Sequence, residues 1–394
     1  MAYKKVYLKP GKEESLKRFH PWVFSGAIRS IEGEPEEGET VDVYTAQKEF
    51  IACGHIQIGS IAVRVLTFKQ EEINTEFWKR KLETAYALRR ALGLAGNPTN
   101  NTYRLVHGEG DNLPGLVIDI YGQTAVMQAH SVGMHVCRMQ IAEALSAVMG
   151  DVIHHIYYKS ETTLPYKAEL EAENGFIKGG SPENVALEYG LKFHVDWLKG
   201  QKTGFFVDQR ENRRLLEHYA RGRNVLNMFC YTGGFSFYAM RGGANLVHSV
   251  DSSAKAIDLT NMNVELNFPG DTRHQAYTED AFKYLDRMGD HYDLIILDPP
   301  AFAKHKDALR NALRGYTKLN AKAFEKIKPG GILFTFSCSQ VVDKVNFRNA
   351  VFTAAAQSGR SVRILHQLTQ PADHPVNIYH PEGEYLKGLV LYVE

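Results

Sequence analysis

The chain has 394 residues, with 46 Lys+Arg against 45 Asp+Glu for a net charge of +1, and is 44% hydrophobic and 23% charged, the balance of an ordinary water-soluble globular protein. That length exceeds what one hydrophobic core usually organises, so two or three domains are expected, and a disordered tail protein, a collagen-like fibre and a supercharged nucleic-acid coat are excluded. Four widely spaced cysteines, Cys53, Cys137, Cys230 and Cys338, include no CxxC pair, which predicts neither a disulfide framework nor a zinc site; any cysteine chemistry belongs to a single thiol. No apolar run reaches the roughly 18–20 residues of a bilayer span and residues 1–8 lack the apolar segment of a secretory signal, so the cytoplasm is the expected compartment.

Taken in order, the chain opens on a basic arm (Lys4, Lys5, Lys9, Lys12, Lys17, Arg18, Arg29). An acidic loop follows (Glu32, Glu34, Glu36, Glu37, Glu39, Asp42) around Gly33, Pro35 and Gly38. Residues 40–44, 50–57 and 61–68 are short, β-branched apolar runs separated by turns, the pattern of a small β-barrel, which places a first domain at residues 1–70. Apolar spacing over residues 73–92, with Asn74 as a cap, predicts a long amphipathic helix linking domains. Strands at residues 116–120 and 124–129 flank a Tyr121-Gly122 turn. A helix over 132–149 and strands at 152–158 and 185–195 complete a central α+β domain at residues 71–190. From residue 191, apolar strands (224–229, 246–250, 293–297, 332–337) alternate with helical stretches and end in a pair at 362–368 and 385–393. Such alternation predicts an α/β domain, a mostly parallel sheet covered by helices and closed by a hairpin-like edge.

The segment Asn227-Met228-Phe229-Cys230-Tyr231-Thr232-Gly233-Gly234-Phe235 follows a predicted strand and opens a helix, where glycines let backbone approach a ligand. A dinucleotide fingerprint is missing, and a lone Gly pair is more often a plain strand-to-helix turn. The acids alter that balance. Asp251 stands after the next strand, where a carboxylate can accept from ribose hydroxyls. Asp280 follows the apolar piece 274–277 and suits an adenine amino group. Asp298, before Pro299-Pro300, ends a strongly apolar strand at the carboxyl edge of the sheet. Any one of them is more often a cap or turn residue; three at successive strand ends favour an adenosine-containing cofactor.

With these residues in place, the chain resembles the class I S-adenosylmethionine-dependent methyltransferases, and within them the ribosomal RNA large subunit methyltransferase I family. The resemblance rests on six ordered motifs: KTGFFVDQR (202–210), NMFCYTGGFSFYA (227–239), SVDSS (249–253), DPPAF (298–302), FTFSCS (334–339), and ADHPV with PEGEYLKG near the end. It covers the full length, since HPWVFSGAI (20–28) looks like the start of the family's N-terminal PUA domain and YRLVHGEGDNLPGLVID (103–119) like its central domain. It implies a Rossmann-like domain with a seven-stranded, mostly parallel sheet over residues 191–394. The cofactor contacts it implies are Lys202, Thr203, Phe205, Gln209, Phe229, Tyr231, Thr232, Gly233, Asp251, Ser252, Asp280 and Asp298. One departure stands out: family members often carry Lys after the two prolines, where this chain has Ala301, with Lys304 and Lys306 slightly later.

Carbon 5 of a pyrimidine is a poor nucleophile until a thiolate adds at carbon 6 and creates an enamine. That route needs one cysteine, an acid near nitrogen 3, and a base. Cys338, ending the fifth strand, suits the nucleophile and Asp298, ending its neighbour, the acid; the base stays unassigned. An isolated cysteine is otherwise a packing residue, the role given to Cys53, Cys137 and Cys230. The resemblance favours the catalytic reading for Cys338 and implies 5-methylcytosine as product. Two rivals remain: N-methylation of a base through the DPPAF element, which needs no cysteine, and a non-catalytic RNA-binding or ribosome-assembly factor.

A base inside a helix cannot reach such a site, so the RNA, large-subunit ribosomal RNA by resemblance, is bound at a single strand or loop or with the base flipped. Lys12, Lys17, Arg18 and Arg29 beside Phe19, Trp22 and Phe24 mix charge with aromatic surface, although Trp22 and Phe24 read individually as barrel core. Arg210, Arg213 and Arg214 lie on a helix near the cofactor loop. His154-His155 and the other histidines show no metal-ligand spacing, and no metal is assigned. Oligomeric state is open, a homodimer included.

Overall fold

The computed structural model describes residues 3–165, 168, 170, 172–180, 184–303 and 305–394. Two compact units emerge: one from residues 1–190, 195–207 and 372–383, the other from residues 191–194, 208–371 and 384–394.

In the first unit, six strands form a sheet in the order Trp22–Phe24, Ile61–Thr67, Phe50–Ile56, Thr40–Tyr44, Lys4–Leu8, Ile28–Glu32. Lys4–Leu8 and Thr40–Tyr44 run parallel and the other neighbours antiparallel. Alternating β-branched residues bury one face: Val6, Val41, Val43, Val63 and Val65 are almost wholly buried. Trp22 is half-buried, but Phe24 is 47% exposed, because the short first strand at the sheet edge turns that side chain outward; the expectation that it belongs to the core is corrected.

A second sheet of five strands, Gly175–Lys178, His155–Tyr158, Thr124–Ala129, Leu116–Tyr121 and Thr102–His107 in spatial order, lies in the same unit. The predicted long helix spans Thr75–Ala91, and Asn74 caps it by accepting from the Phe77 amide at 3.0 Å. Its buried face, Phe77, Trp78, Leu82 and Ala85, joins a core shared with Ile141 and Leu145 of the helix Arg138–Met149. The single helix expected over residues 132–149 is two, Val132–Val136 and Arg138–Met149, meeting at Cys137. The single strand expected over residues 185–195 is likewise two, Val185–Glu188 and Leu191–His194, because Tyr189 and Gly190 both take positive φ, 47° and 85°, and turn the chain between them.

Buried ion pairs organise this unit. Arg89 is fully buried and forms a two-pronged pair with Asp111, and it also donates to the Asp373 carbonyl at 2.7 Å. Arg104 pairs with Asp119 through two bonds of 2.8 Å, and the Arg104 amide donates to the Asp373 carboxylate at 2.9 Å. The motif ADHPV therefore belongs structurally to the first unit, although it lies near the end of the sequence.

The second unit is a seven-stranded sheet: β1 (Asn224–Met228), β2 (Leu246–Asp251), β3 (His274–Thr278), β4 (Leu294–Leu297), β5 (Gly331–Ser337), β6 (Val362–Thr369) and β7 (Lys387–Val393). Their spatial order is β3-β2-β1-β4-β5-β7-β6. The first five are parallel; β7 is antiparallel to both β5 and β6. Helices α1 (Arg210–Tyr219), α2 (Gly234–Arg241), α3 (Ala254–Asn267), α4 (Ala281–Arg287), α5 (Leu309–Lys326) and α6 (Lys344–Ser358) connect them. Strands β4 and β5 are buried throughout, which explains their unbroken apolar sequences. The strand order reverses between β2-β1 and β1-β4, so a crevice opens at the carboxyl ends of β1 and β4, where ligands bind in open sheets of this kind. Among the described residues, no helix is long and apolar enough to cross a membrane.

Candidate active site

Chain geometry is unusual just after β1. Phe229 and Tyr231, neither a glycine, hold left-handed conformations at φ 58° and 48°, and Gly233 follows at φ 85°. Left-handed backbone at non-glycine residues costs of order 1–3 kcal/mol each and persists only where surrounding contacts impose it. Here those contacts are visible. The Tyr231 amide donates to Asp251 Oδ2 at 3.0 Å, and Thr260 Oγ1 on α3 donates to the Tyr231 carbonyl at 2.9 Å. A Cβ on Gly233 would lie 2.6 Å from the Phe237 ring and 2.8 Å from Thr260, so only glycine lets the loop lie this close to α2 and α3. The loop is thus a preformed cradle opening α2. Within it Thr232 Oγ1 is buried without a hydrogen-bond partner, as is Oδ1 of Asn227 at the end of β1; buried polar atoms of this kind call for a ligand or water.

The predicted acids fall at successive strand ends. Asp251 ends β2, half-buried, and also accepts from the Ser253 amide at 2.9 Å, with exposed Ser252 between them. Asp280, exposed, caps α4 by accepting from the Lys283 amide at 3.1 Å. Asp298 follows β4 directly and is half-buried; its Oδ1 accepts from the Gln209 side-chain amide at 3.1 Å, and Gln209 in turn accepts from Asn212 at 2.7 Å. The cap role of Asp280 and the turn contacts of Asp251 leave lone pairs on both carboxylates, since each oxygen can accept more than one hydrogen bond.

Lys202, Thr203 and Phe205 belong to the first unit. Thr203 is fully buried there and donates to Asp119 at 2.6 Å while bonding the Tyr121 hydroxyl at 2.8 Å. The Phe205 carbonyl accepts from Tyr121, and the exposed Lys202 ammonium sits 4.9 Å from the Phe206 ring centroid.

Beside Asp298 stands the second predicted reactive group. Cys338 follows β5 directly and is half-buried. Parallel pairing sets Leu297 opposite Thr335, so Asp298 and Cys338 leave adjacent strand tips on the same edge of the sheet. Their loops are tied together: Ser339 Oγ donates to the Ala303 carbonyl at 2.6 Å. Ala301 is half-buried in that first loop, Lys304 lies outside the described residues, and Lys306 is exposed further along. The other thiols are poor nucleophiles. Burial pushes Cys53 and Cys230 far up, and Cys137 up to about 11, so all three stay protonated near neutrality.

Two residues to which the sequence assigned no role border the same pair. Tyr316 of α5 accepts from Ser337 Oγ at 2.9 Å, and its phenol is pushed up to about 12, first by burial and further by the nearby Cys338 and Asp298. Lys387 opens β7 opposite Ser337 and is buried. Neither could be found from spacing, because each is brought in by the sheet and not by its neighbours in sequence. Arg210 and Arg213 are buried on α1, which removes them as surface phosphate contacts; Arg214 is exposed. Lys12, Lys17, Arg18 and Arg29 are all exposed.

The structure also assembles histidines that the sequence left scattered. The ligand atoms of His20, His380 and Glu382 lie within 4.8 Å of one another. Burial is the largest influence on His380 and holds its imidazole below the usual value, with the carboxylates of Glu109 and Glu382 acting in the opposite direction.

Comparison with known proteins bears on this geometry. Residues 166–387 match the S-adenosylmethionine-dependent methyltransferase family, and residues 6–68 match the PUA-like domain. Curated proteins named ribosomal RNA large subunit methyltransferase I are 42% identical in Aeromonas hydrophila and 43% in Tolumonas auensis, each alignment covering 98% of both chains. This chain belongs to that methyltransferase family. In fold it is similar to a solved S-adenosylmethionine-dependent methyltransferase of Streptococcus mutans, at TM-score 0.83 and 23% identity over the whole of both chains. A methyltransferase structure solved with SAH aligns equally completely at TM-score 0.84 and 23% identity.

The domain built on β1–β7 is accordingly a Rossmann-like class I methyltransferase domain, and S-adenosylmethionine is the cofactor of the family. The residues present fit it. The strained Phe229–Gly233 loop, the unsatisfied Thr232 hydroxyl and the carboxylate of Asp251 offer donors and acceptors around the switch point of the sheet. The cofactor supplies an electrophilic methyl group on a sulfonium.

Proposed function

We propose that this chain methylates carbon 5 of a cytosine in large-subunit ribosomal RNA, with Cys338 as the nucleophile and Asp298 as its acid partner. The names of the 42–43% identical relatives support the RNA class. The observation that carries the reaction type is the half-buried Cys338 thiol at the tip of β5, its loop tied by Ser339 to the loop of Asp298. N-methylation would not call for a thiol in that place.

In this reading Cys338 adds to carbon 6, Asp298 holds or protonates nitrogen 3, and carbon 5 becomes nucleophilic enough to take the methyl group. Removal of the carbon 5 proton then expels the thiol. We assign the cofactor to Gln209, Phe229, Tyr231, Thr232, Gly233, Asp251, Ser252, Asp280 and Asp298. Residues 1–70 serve as a PUA-like RNA-binding domain, 71–190 as the central domain and 191–394 as the methyltransferase domain. Exposed Lys12, Lys17, Arg18 and Arg29, with Phe19 at 47% exposure, suit a phosphate-bearing strand with an unstacked base.

The test uses ribosomal RNA containing 5-fluorocytosine, whose fluorine cannot leave as a proton does. Wild-type protein should form an RNA adduct that survives denaturing electrophoresis, and Cys338→Ala should form none and make no 5-methylcytosine by mass spectrometry. Methyl transfer that survives in Cys338→Ala would move the assignment to a nitrogen.

A further inference from the structure

A thiol attacks only as its anion, so a cysteine nucleophile needs something nearby that makes the anion cheap. Lys387 is the first residue of β7 and lies across from Ser337, the residue before Cys338. Its side chain is only 6% exposed. The ammonium donates to the Ser339 carbonyl at 2.5 Å and to the Tyr385 carbonyl at 2.6 Å. Two of its three N–H groups are therefore spent on backbone, one of them on the carbonyl of Ser339, the residue after Cys338. A lysine in the interior of a sheet is costly, because burial disfavours its charged form. Two carbonyl acceptors hold its position, yet an uncharged hydrogen-bonding residue would do that at lower cost.

We infer that Lys387 is a positioning residue that fixes the Cys338-Ser339 turn and stabilises the Cys338 thiolate at the tip of β5. The inference rests on the reading of Cys338 as nucleophile given above. No co-reactant is required: the thiol proton passes to solvent or to a nearby acceptor when the anion forms, and the same sulfur recovers its electron pair when the adduct breaks down. Charge around the pair is consistent with this role. Burial lowers the Lys387 ammonium to about 8, and among its charged neighbours Cys338 does most to hold the proton on, followed by Asp343 and Glu384, while Lys344 opposes. Lys344 is itself paired with Glu384. On the α5 side Tyr316 stays protonated near neutrality, burial, Cys338 and Asp298 all raising it.

The experiment follows alkylation of Cys338 by iodoacetamide against pH in the full-length protein, read by mass spectrometry of the Cys338 peptide so that the other thiols do not interfere. The wild-type midpoint should fall at least one pH unit below the ordinary thiol value of about 8.5. Lys387→Met should raise it by a unit or more, leaving about tenfold less thiolate at neutral pH, and Lys387→Arg should restore much of the shift. Near-UV circular dichroism checks that each variant keeps its fold.

A wild-type midpoint at or above the ordinary value overturns the inference whatever the variants do, including a Met variant that fails to fold. So does a Met variant that loses methylation while its midpoint stays put, which would make Lys387 a purely structural support. Absence of the 5-fluorocytosine adduct alongside a Lys387-dependent midpoint would instead sink the nucleophile reading while leaving the ion pair standing, so the two failures are distinguishable.

Discussion

The side-chain amide of Gln209 donates to the carboxylate of Asp298 at 3.1 Å while its own oxygen accepts from Asn212 at 2.7 Å. The chain of bonds fixes which way the amide faces, so Asp298 receives a donor and not a second acceptor. Gln209→Leu removes the donor and lets the carboxylate swing; a misplacement of about 1 Å at a reacting group can cost about 100-fold. We expect methyl transfer to fall 10- to 100-fold in that variant. Gln209→Glu should be worse, because a second carboxylate raises the proton affinity of Asp298 and repels it. Single-turnover rates across pH test both, and an unchanged rate in Gln209→Glu would show that Asp298 has no part in the chemistry.

Tyr316→Phe deletes the acceptor of the fully buried Ser337 hydroxyl. The hydroxyl still accepts from the Ser339 amide, but its O–H is left without an acceptor, at a cost of order 1–3 kcal/mol, and the expected consequence is a melting temperature lower by a few degrees in a chain of this size. Because the Tyr316 phenol stays protonated up to about 12, the wild-type rate should show no alkaline limb from it below about pH 10. Calorimetry and a pH-rate profile check the two statements separately.

Gly233→Ala should destroy cofactor binding before it unfolds the protein. The added methyl would meet Phe237 and Thr260 inside 3 Å, and the backbone φ of 85° is itself unfavourable for alanine. Together these cost roughly 2–4 kcal/mol, borne first by the loop that opens α2. Calorimetric titration with S-adenosylmethionine should show at least a tenfold loss of affinity, and wild-type affinity in this variant would remove the loop from the cofactor site.

Buried imidazoles set an acid limit on stability. Burial lowers His55, His248 and His274 to about 4, against about 6.5 in an unfolded chain. The unfolded state therefore binds more protons between those values. Stability is full above pH 6.5 and declines toward pH 4, by up to about 1.4 kcal/mol per unit for each group. The melting temperature should already fall between pH 6.5 and pH 5, before most carboxylates titrate; a flat profile in that window would contradict the burial of these rings.

Part of the methyltransferase domain was readable from sequence because β4 and β5 run as near-continuous apolar strands and Asp298 follows β4 directly. The helix at Thr75–Ala91 was readable for a local reason, the Asn74 cap and a regular apolar face. Features set by distant partners were not. Tyr316 looks like one more core aromatic until Ser337 is placed against it, and Lys387 looks like a surface charge until β7 is inserted beside β5. His20 and His380 are separated by most of the chain, and only folding brings them together. Arg210 and Arg213 looked like surface cations because α1 is strongly polar, and only the packing of α1 shows that they face inward.

Residues 372–383 leave the methyltransferase domain, place Asp373 against Arg89 and Arg104, and return to supply β7. Residues 191–194 make the opposite excursion. No single cut can therefore release either half as an uninterrupted polypeptide. A fragment beginning at residue 208 would still drag along an orphaned loop while losing a strand, and its partner fragment would bury Arg104 without the acid its amide requires.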